Sequence, residues 1–206
     1  MTNEIFFNTL KDYFPDAECE LKFNSDFELL VDVILSAQCT DKRVNEVTEK
    51  LYKKANTPKA FLEMGQQQLE KEIYSCGFYH NKAKNILAMS KDLVEKYNGK
   101  LPTNYEDMLS LAGVGRKTAN VVFSILHHTN VIAVDTHVLR VSNRLGFCDT
   151  QDAYKCEMAL TEKFKNNLDK LHFKMVLFGR YICKAKNPDC SRCKFIQDCK
   201  YFNQKT

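Results

Sequence analysis

The sequence predicts an all-α protein. Apolar residues recur at helical spacing along most of the chain, and no segment alternates convincingly with period two. Seven glycines and four prolines in 206 residues, well under the usual share of about 12%, leave few turns and therefore long elements. Apolar residues at 44% and charged residues at 27% suit one globular protein, or two subdomains, able to bury about 70% of its unfolded surface, and they argue against intrinsic disorder.

Ser25 and Asp26 offer a helix cap, and Phe27, Leu30, Val31, Ile34 and Leu35 follow at i, i+3, i+4, i+7 and i+8. Asp41 is read as the cap of the next helix, with Val44, Val47 and Leu51 inward. Thr57 before Pro58 reads as an N-cap with proline at the first helical position. Asn81 precedes the stripe Ile86, Leu87, Leu93, Val94 and Tyr97, which Gly99 and Pro102 stop. Further helical patterns cover about 104–111, 116–126, 136–145, 150–168 and 171–183. No internal repeat or linker is evident.

Residues 111–118 read Leu-Ala-Gly-Val-Gly-Arg-Lys-Thr and lie between two of these helices. Gly113 and Gly115 permit positive φ and the close approach of a nucleic-acid backbone around Val114 and Arg116. The amides opening the next helix carry partial positive charge outward. A helix-hairpin-helix of this kind can hold a DNA phosphate without reading sequence, directly or through a bound monovalent cation. An ordinary αα-hairpin connection has the same outline.

Lys117 falls in the first turn of the following helix, where the dipole disfavours positive charge. Partial burial beside Val121, Val122 and Ile125 is expected to lower its pKa further and make the amine a nucleophile. Asp135 follows the apolar run 131–134 and opens a helix at Thr136 and His137. Singly, Lys117 reads as a phosphate contact and Asp135 as an N-cap; their combination raises a catalytic reading.

Nine cysteines, odd in number, do not form a secreted disulfide framework. Four of them form the run Cys183-x6-Cys190-x2-Cys193-x5-Cys199, enough thiolates for a tetrahedral zinc or an iron–sulfur cubane. Spacing leaves the two open. Lys184, Lys186, Arg192, Lys194 and Lys200 surround these cysteines and can offset an anionic core. The net charge is only +4, but from residue 170 onward nine Lys and Arg meet two acids, either a phosphate-facing surface or a solvated basic tail. The longest stretch without Asp, Glu, Lys or Arg, residues 118–134, includes Asn120, His127, His128 and Asn130 and makes a poor bilayer span. The acidic N-terminus shows no export signal, so a cytoplasmic protein is expected.

Taken together, the segment Leu-Ser-Ala-Gln-Cys-Thr-Asp at 35–41, the hairpin at 111–120, Val-Asp-Thr-His-Val at 134–138 and the cysteine spacing resemble the endonuclease III family, the bifunctional DNA glycosylases and AP lyases of base-excision repair. The likeness runs from about Ser25 to Cys199. It implies two helical subdomains flanking a DNA-binding cleft: a six-helix domain at 20–128 and a second domain, from 1–19 plus 129–206, whose four cysteines hold a structural [4Fe–4S] cluster. It also implies a monomer acting on damaged double-stranded DNA, with oxidised or ring-saturated pyrimidines as lesions. In this likeness Lys117 is the nucleophile and Asp135 the essential carboxylate. Gln38 enters the gap left by the flipped nucleotide, Phe78 is the wedge on the opposite strand, and the hairpin residues Gly113, Val114, Gly115 and Arg116 contact DNA. His137 either lines the DNA-facing surface or packs within its helix, and Phe78 reads equally as a core aromatic. The family more often has an aliphatic residue at 78 and proline at 112, where this chain has Phe78 and Ala112. An adenine-mismatch glycosylase lacks the lysine and carries a further C-terminal domain, whereas this chain has Lys117 and runs seven residues past Cys199. A non-catalytic iron–sulfur protein that only binds DNA is the reading from another class.

Overall fold

The computed structural model describes residues 1–204; Lys205 and Thr206, the end of the basic segment, lie outside the described residues. Eleven α-helices and no strand occur among the described residues: α1 (Asn3–Tyr13), α2 (Asp26–Leu35), α3 (Asp41–Leu51), α4 (Pro58–Glu72), α5 (Tyr79–Tyr97), α6 (Tyr105–Ser110), α7 (Arg116–His127), α8 (Thr136–Leu145), α9 (Ala153–Phe164), α10 (Leu168–Tyr181) and α11 (Lys200–Asn203). No helix among them is long and apolar enough to cross a membrane.

The caps show why several helices begin where residue type places them. The Ser25 hydroxyl accepts from the Glu28 amide, that of Thr57 from Ala60, and the Asn104 side chain from Asp107, each occupying one of the helix's orphan N–H groups. Several starts differ from the sequence expectation, α5 beginning at Tyr79 and α10 at Leu168 among them. Thr40, not Asp41, caps α3, accepting from the Arg43 amide at 3.3 Å. Likewise α9 starts at Ala153 on an Asp152 cap rather than at Thr150, because the Thr150 backbone is held by both ends of the Asn143 amide. α1 is a helix for which the sequence reading had no counterpart.

The chain forms two compact units. Glu20–Leu126 holds α2 to α6 and nearly all of α7. Its centre is α2, buried on every side from Phe27 to Leu35, with α4 and α5 packed together beside it. Met1–Cys19 with His127–Thr206 forms the other. Its core gathers Phe6 and Leu10 of α1, Val138 and Val141 of α8, Leu160 of α9, Phe178 of α10 and Phe195. Aromatic edges lock it: Phe6 meets Phe147 at 4.8 Å and Phe195 at 5.0 Å, and Phe195 meets Phe178 at 5.3 Å.

One buried acid gives the first unit a pH signature. Asp32 is fully buried in α2, its Oδ1 accepts from the Tyr52 hydroxyl, and its Oδ2 has no partner. Burial pushes its pKa up to about 7, against about 3.9 in an unfolded chain. Between pH ~4 and ~7 the folded protein therefore keeps a proton that the unfolded chain has released, so its contribution to stability falls as pH rises through that window. In thermal melts, the wild-type Tm is expected to fall from pH 5 to 8 more steeply than that of Asp32→Asn, which cannot ionise; parallel profiles would contradict this.

Candidate active site

The hairpin is built from both flanking helices. After α6 the Leu111 amide bonds the Met108 carbonyl and the Val114 amide bonds that of Leu111, which turns the chain while burying both apolar side chains. Gly113 has φ 80, and a Cβ there would stand 2.9 Å from Asn85 Cβ of α5, whereas one at Gly115 would meet nothing within 4 Å. The first glycine is thus demanded by backbone conformation and packing, and the second leaves the turn open to approach. Tyr105 ties α6 to α7: its hydroxyl donates to Asn120 Oδ1, its ring meets Phe123 edge-on at 5.5 Å, and the Arg116 guanidinium lies 5.8 Å from the ring centre. Gly115, Arg116 and Lys117 are exposed where α7 begins.

The partial burial expected of Lys117 is not found: its side chain is exposed. The buried run of α7, from Ala119 to Ser124, begins only after the residues nearest the turn, so Lys117 stands in solvent reach rather than among Val121 and Val122.

Asp135 is half-buried and is the N-cap of α8. Its Oδ1 accepts from the amides of His137 at 2.9 Å and Val138 at 2.8 Å. No hydrogen bond engages Oδ2 among the described residues. One oxygen fixes the carboxylate and leaves the other free. His137 is half-buried beside it: its Cβ lies 2.8 Å from where Gly179 of α10 would carry one, and its Nδ1 lies 3.1 Å from Arg140 Nη2. Those contacts pack one side of His137 against α10 and Arg140.

Gln38 and Phe78 are both exposed non-glycine residues in the left-handed region, at φ 55 and φ 48. At 65% exposure Phe78 is not a core aromatic. The sequence reading missed the residue behind them. Lys82 is buried, and its Nζ donates to the carbonyls of Leu35, Ala37 and Cys76. Its signal was available: Lys82 falls in register with Ile86, Met89, Ser90 and Leu93 on the buried stripe of α5.

All four cysteines of the C-terminal run are free thiols. Burial pushes the Cys193 thiol up to about 11, and Cys183, Cys199 and Cys190 each raise it further through their charge, so the four thiols share one neighbourhood. Among the described residues no three Cys, His, Asp or Glu side chains close tightly enough on one ion. The loop is anchored by residues that spacing did not single out. Phe195, between two of the cysteines, is buried against Phe6 and Phe178. From α8, Arg140 donates to the carbonyls of Cys183 and Gly179, and Arg144 to those of Lys184 and Ala185, at 2.7 to 3.0 Å. The basic surface is partly neutralised: Arg192 pairs with Asp189, Lys194 with Asp12 and Lys200 with Asp149, while Lys184 and Lys186 are exposed. A cavity of about 700 Å³ lined by Glu28, Asn45, Glu49 and Tyr52 includes none of the residues singled out from sequence.

Comparison with known proteins gives a consistent picture. A family described as HhH-GPD superfamily base excision DNA repair protein matches residues 31–166. Endonuclease III of Bacillus subtilis (strain 168) is 45% identical over 199 residues, spanning 96% of this chain and 91% of that protein. Endonuclease III of Haemophilus influenzae is 46% identical over 193 residues, or 93% and 92%. Among solved structures, a trapped endonuclease III–DNA covalent intermediate aligns with a TM-score of 0.93 at 42% identity over 100% of this chain and 99% of that one.

Proposed function

The chain belongs to the HhH-GPD superfamily of base excision DNA repair proteins, within its endonuclease III family, and from that premise we propose that Lys117 and Asp135 carry its DNA glycosylase and AP lyase activity, with oxidised or ring-saturated pyrimidines as the bases removed. The observation that carries this reading is the division of labour at Asp135, where one carboxylate oxygen is held by two backbone amides and the other is uncommitted. Such a group is oriented in advance and remains available to a developing positive charge.

The damaged nucleotide is turned out of the duplex, which is easiest for a lesion that stacks or pairs badly. Gln38 fills the vacated space and Phe78 wedges the opposite strand. The glycine hairpin and the first amides of α7 hold a backbone phosphate, directly or through a monovalent cation, and Arg116 adds charge. As the C1′–N bond breaks, its electron pair leaves with the base and the sugar gains oxocarbenium character, which the Asp135 carboxylate stabilises. The amine of Lys117 bonds to C1′ through its nitrogen lone pair and gives up a proton. Ring opening then gives a protonated imine, an electron sink that acidifies the C2′ hydrogen. Removal of that proton expels the 3′ phosphate and nicks the strand, and water releases Lys117. Asp135 serves in proton transfer to and from these intermediates.

Cys183, Cys190, Cys193 and Cys199 would hold a [4Fe–4S] cluster, since four thiols of one loop that share a neighbourhood are the donor set such a group takes. When bound, it supplies thiolate–iron bonds that close the C-terminal loop, and no catalytic step passes through it. Thiols kept reduced for iron and sulfide, together with DNA as partner, support a cytoplasmic location. The purified protein is expected to be yellow-brown with broad visible absorption that Cys190→Ser bleaches; a colourless protein containing zinc would overturn the assignment. The function itself is tested on duplex DNA carrying one ring-saturated pyrimidine. Base release and a nick on the 3′ side of the site, read on a denaturing gel, are expected, and an intact strand would refute the reading.

A further inference from the structure

Two loops of the Glu20–Leu126 unit present side chains from strained positions. Gln38 follows α2 at φ 55 and Phe78 precedes α5 at φ 48. A left-handed non-glycine residue is strained and persists only where its surroundings over-determine it. Those surroundings converge on one ammonium. Lys82 Nζ donates to the Leu35 and Ala37 carbonyls at 2.7 Å each, on the Gln38 side, and to the Cys76 carbonyl at 2.5 Å, on the Phe78 side. Three acceptors use the full donor capacity of the group. The Ala37 carbonyl shares a peptide plane with the Gln38 nitrogen, so holding it restricts rotation at Gln38. The Cys76 carbonyl likewise restrains Gly77, whose own φ is 61, one residue before Phe78. The loops also lie side by side, since a Cβ built on Gly77 would come within 3.9 Å of the Gln38 carbonyl oxygen.

We propose that Lys82 is a positioning residue that locks the Gln38 and Phe78 loops into one rigid body, so that both side chains enter the duplex together. This rests on the reading of Gln38 and Phe78 as the groups that enter the helix. Lys82 touches no substrate: it is 6% exposed, and all three of its donors face protein carbonyls. Removing it takes the donor from three carbonyls, those of Leu35 and Cys76 in buried bonds, and leaves the two loops free to relax separately.

The test separates base extrusion from chemistry. With 2-aminopurine beside the lesion in duplex DNA, Lys82→Met is expected to slow extrusion tenfold or more. Borohydride trapping on single-stranded abasic DNA, which needs no extrusion, is expected to stay within twofold of wild type. Gln38→Ala and Phe78→Ala are expected to be non-additive in the wild-type background and additive in Lys82→Met. Wild-type extrusion rates in Lys82→Met, or equal losses on both substrates, would overturn the proposal. If Gln38→Ala and Phe78→Ala each leave extrusion unchanged, the reading of those two residues fails instead. Hydrogen exchange of the wild-type protein then decides the mechanical claim, and does so too if Lys82→Met does not fold. The Ala37, Cys39 and Cys76 amides are all bonded within their turns and are expected to open with one common free energy; separate values for the two loops would overturn it.

Discussion

Lys117→Ala is expected to abolish the borohydride-trapped adduct with abasic duplex DNA and to lower strand cleavage by at least about 10³-fold. Because Lys117 is exposed, its removal disturbs no packing, and Tm should stay within about 1–2 °C of wild type. Lys117→Arg should fail equally, since a guanidinium keeps its proton and cannot form the imine. The pair separates a nucleophile from a phosphate contact, because a mere contact would survive the arginine replacement with weakened binding at most. An adduct trapped by Lys117→Ala would assign the chemistry to another amine.

Asp135 allows charge and cap to be removed one at a time. In Asp135→Asn the side-chain oxygen still accepts from His137 and Val138, and asparagine caps about as well as aspartate. Base release is expected to fall about 10²–10³-fold with Tm nearly unchanged. Asp135→Ala loses the cap as well, which costs about 1 kcal/mol, or about 2–4 °C in Tm for a chain of this size. Measuring base release and thermal unfolding on both variants resolves the two roles. Comparable activity in wild type and Asp135→Asn would reduce the residue to a cap.

Residue type was enough to place Ser25, Thr57 and Asp135 as caps, because a cap depends on a few neighbouring atoms. The start of α9 was not legible, since Thr150 and Asp152 are both cap residues and the choice is made by Asn143 from another helix. The start of α5 moved to Tyr79 because the chain turns through left-handed Phe78, and no residue type announces such a turn at phenylalanine. In the candidate site, spacing singled out Lys117 and Asp135 but could not supply their surroundings. The apolar residues after Lys117 suggested burial, yet they point into the core only beyond the first turn. Lys82 was passed over because a charge on a buried stripe needs partners, and its partners are carbonyls as many as 47 residues away.

The Phe6–Phe195 contact sets an order of events during synthesis. Helix α1 leaves the ribosome well before Phe195, and at 11 residues it is too short to be firmly helical alone. Its apolar face, Phe6 and Leu10, has no core partner until residues beyond Leu126 follow, Phe147 and Phe164 among them, and its ring cluster closes only with Phe195, by which time the Glu20–Leu126 unit has already emerged. A segment made early is therefore sheltered late, and chains that stall before residue 127 expose the aromatic-bearing α1 to chaperones and proteases.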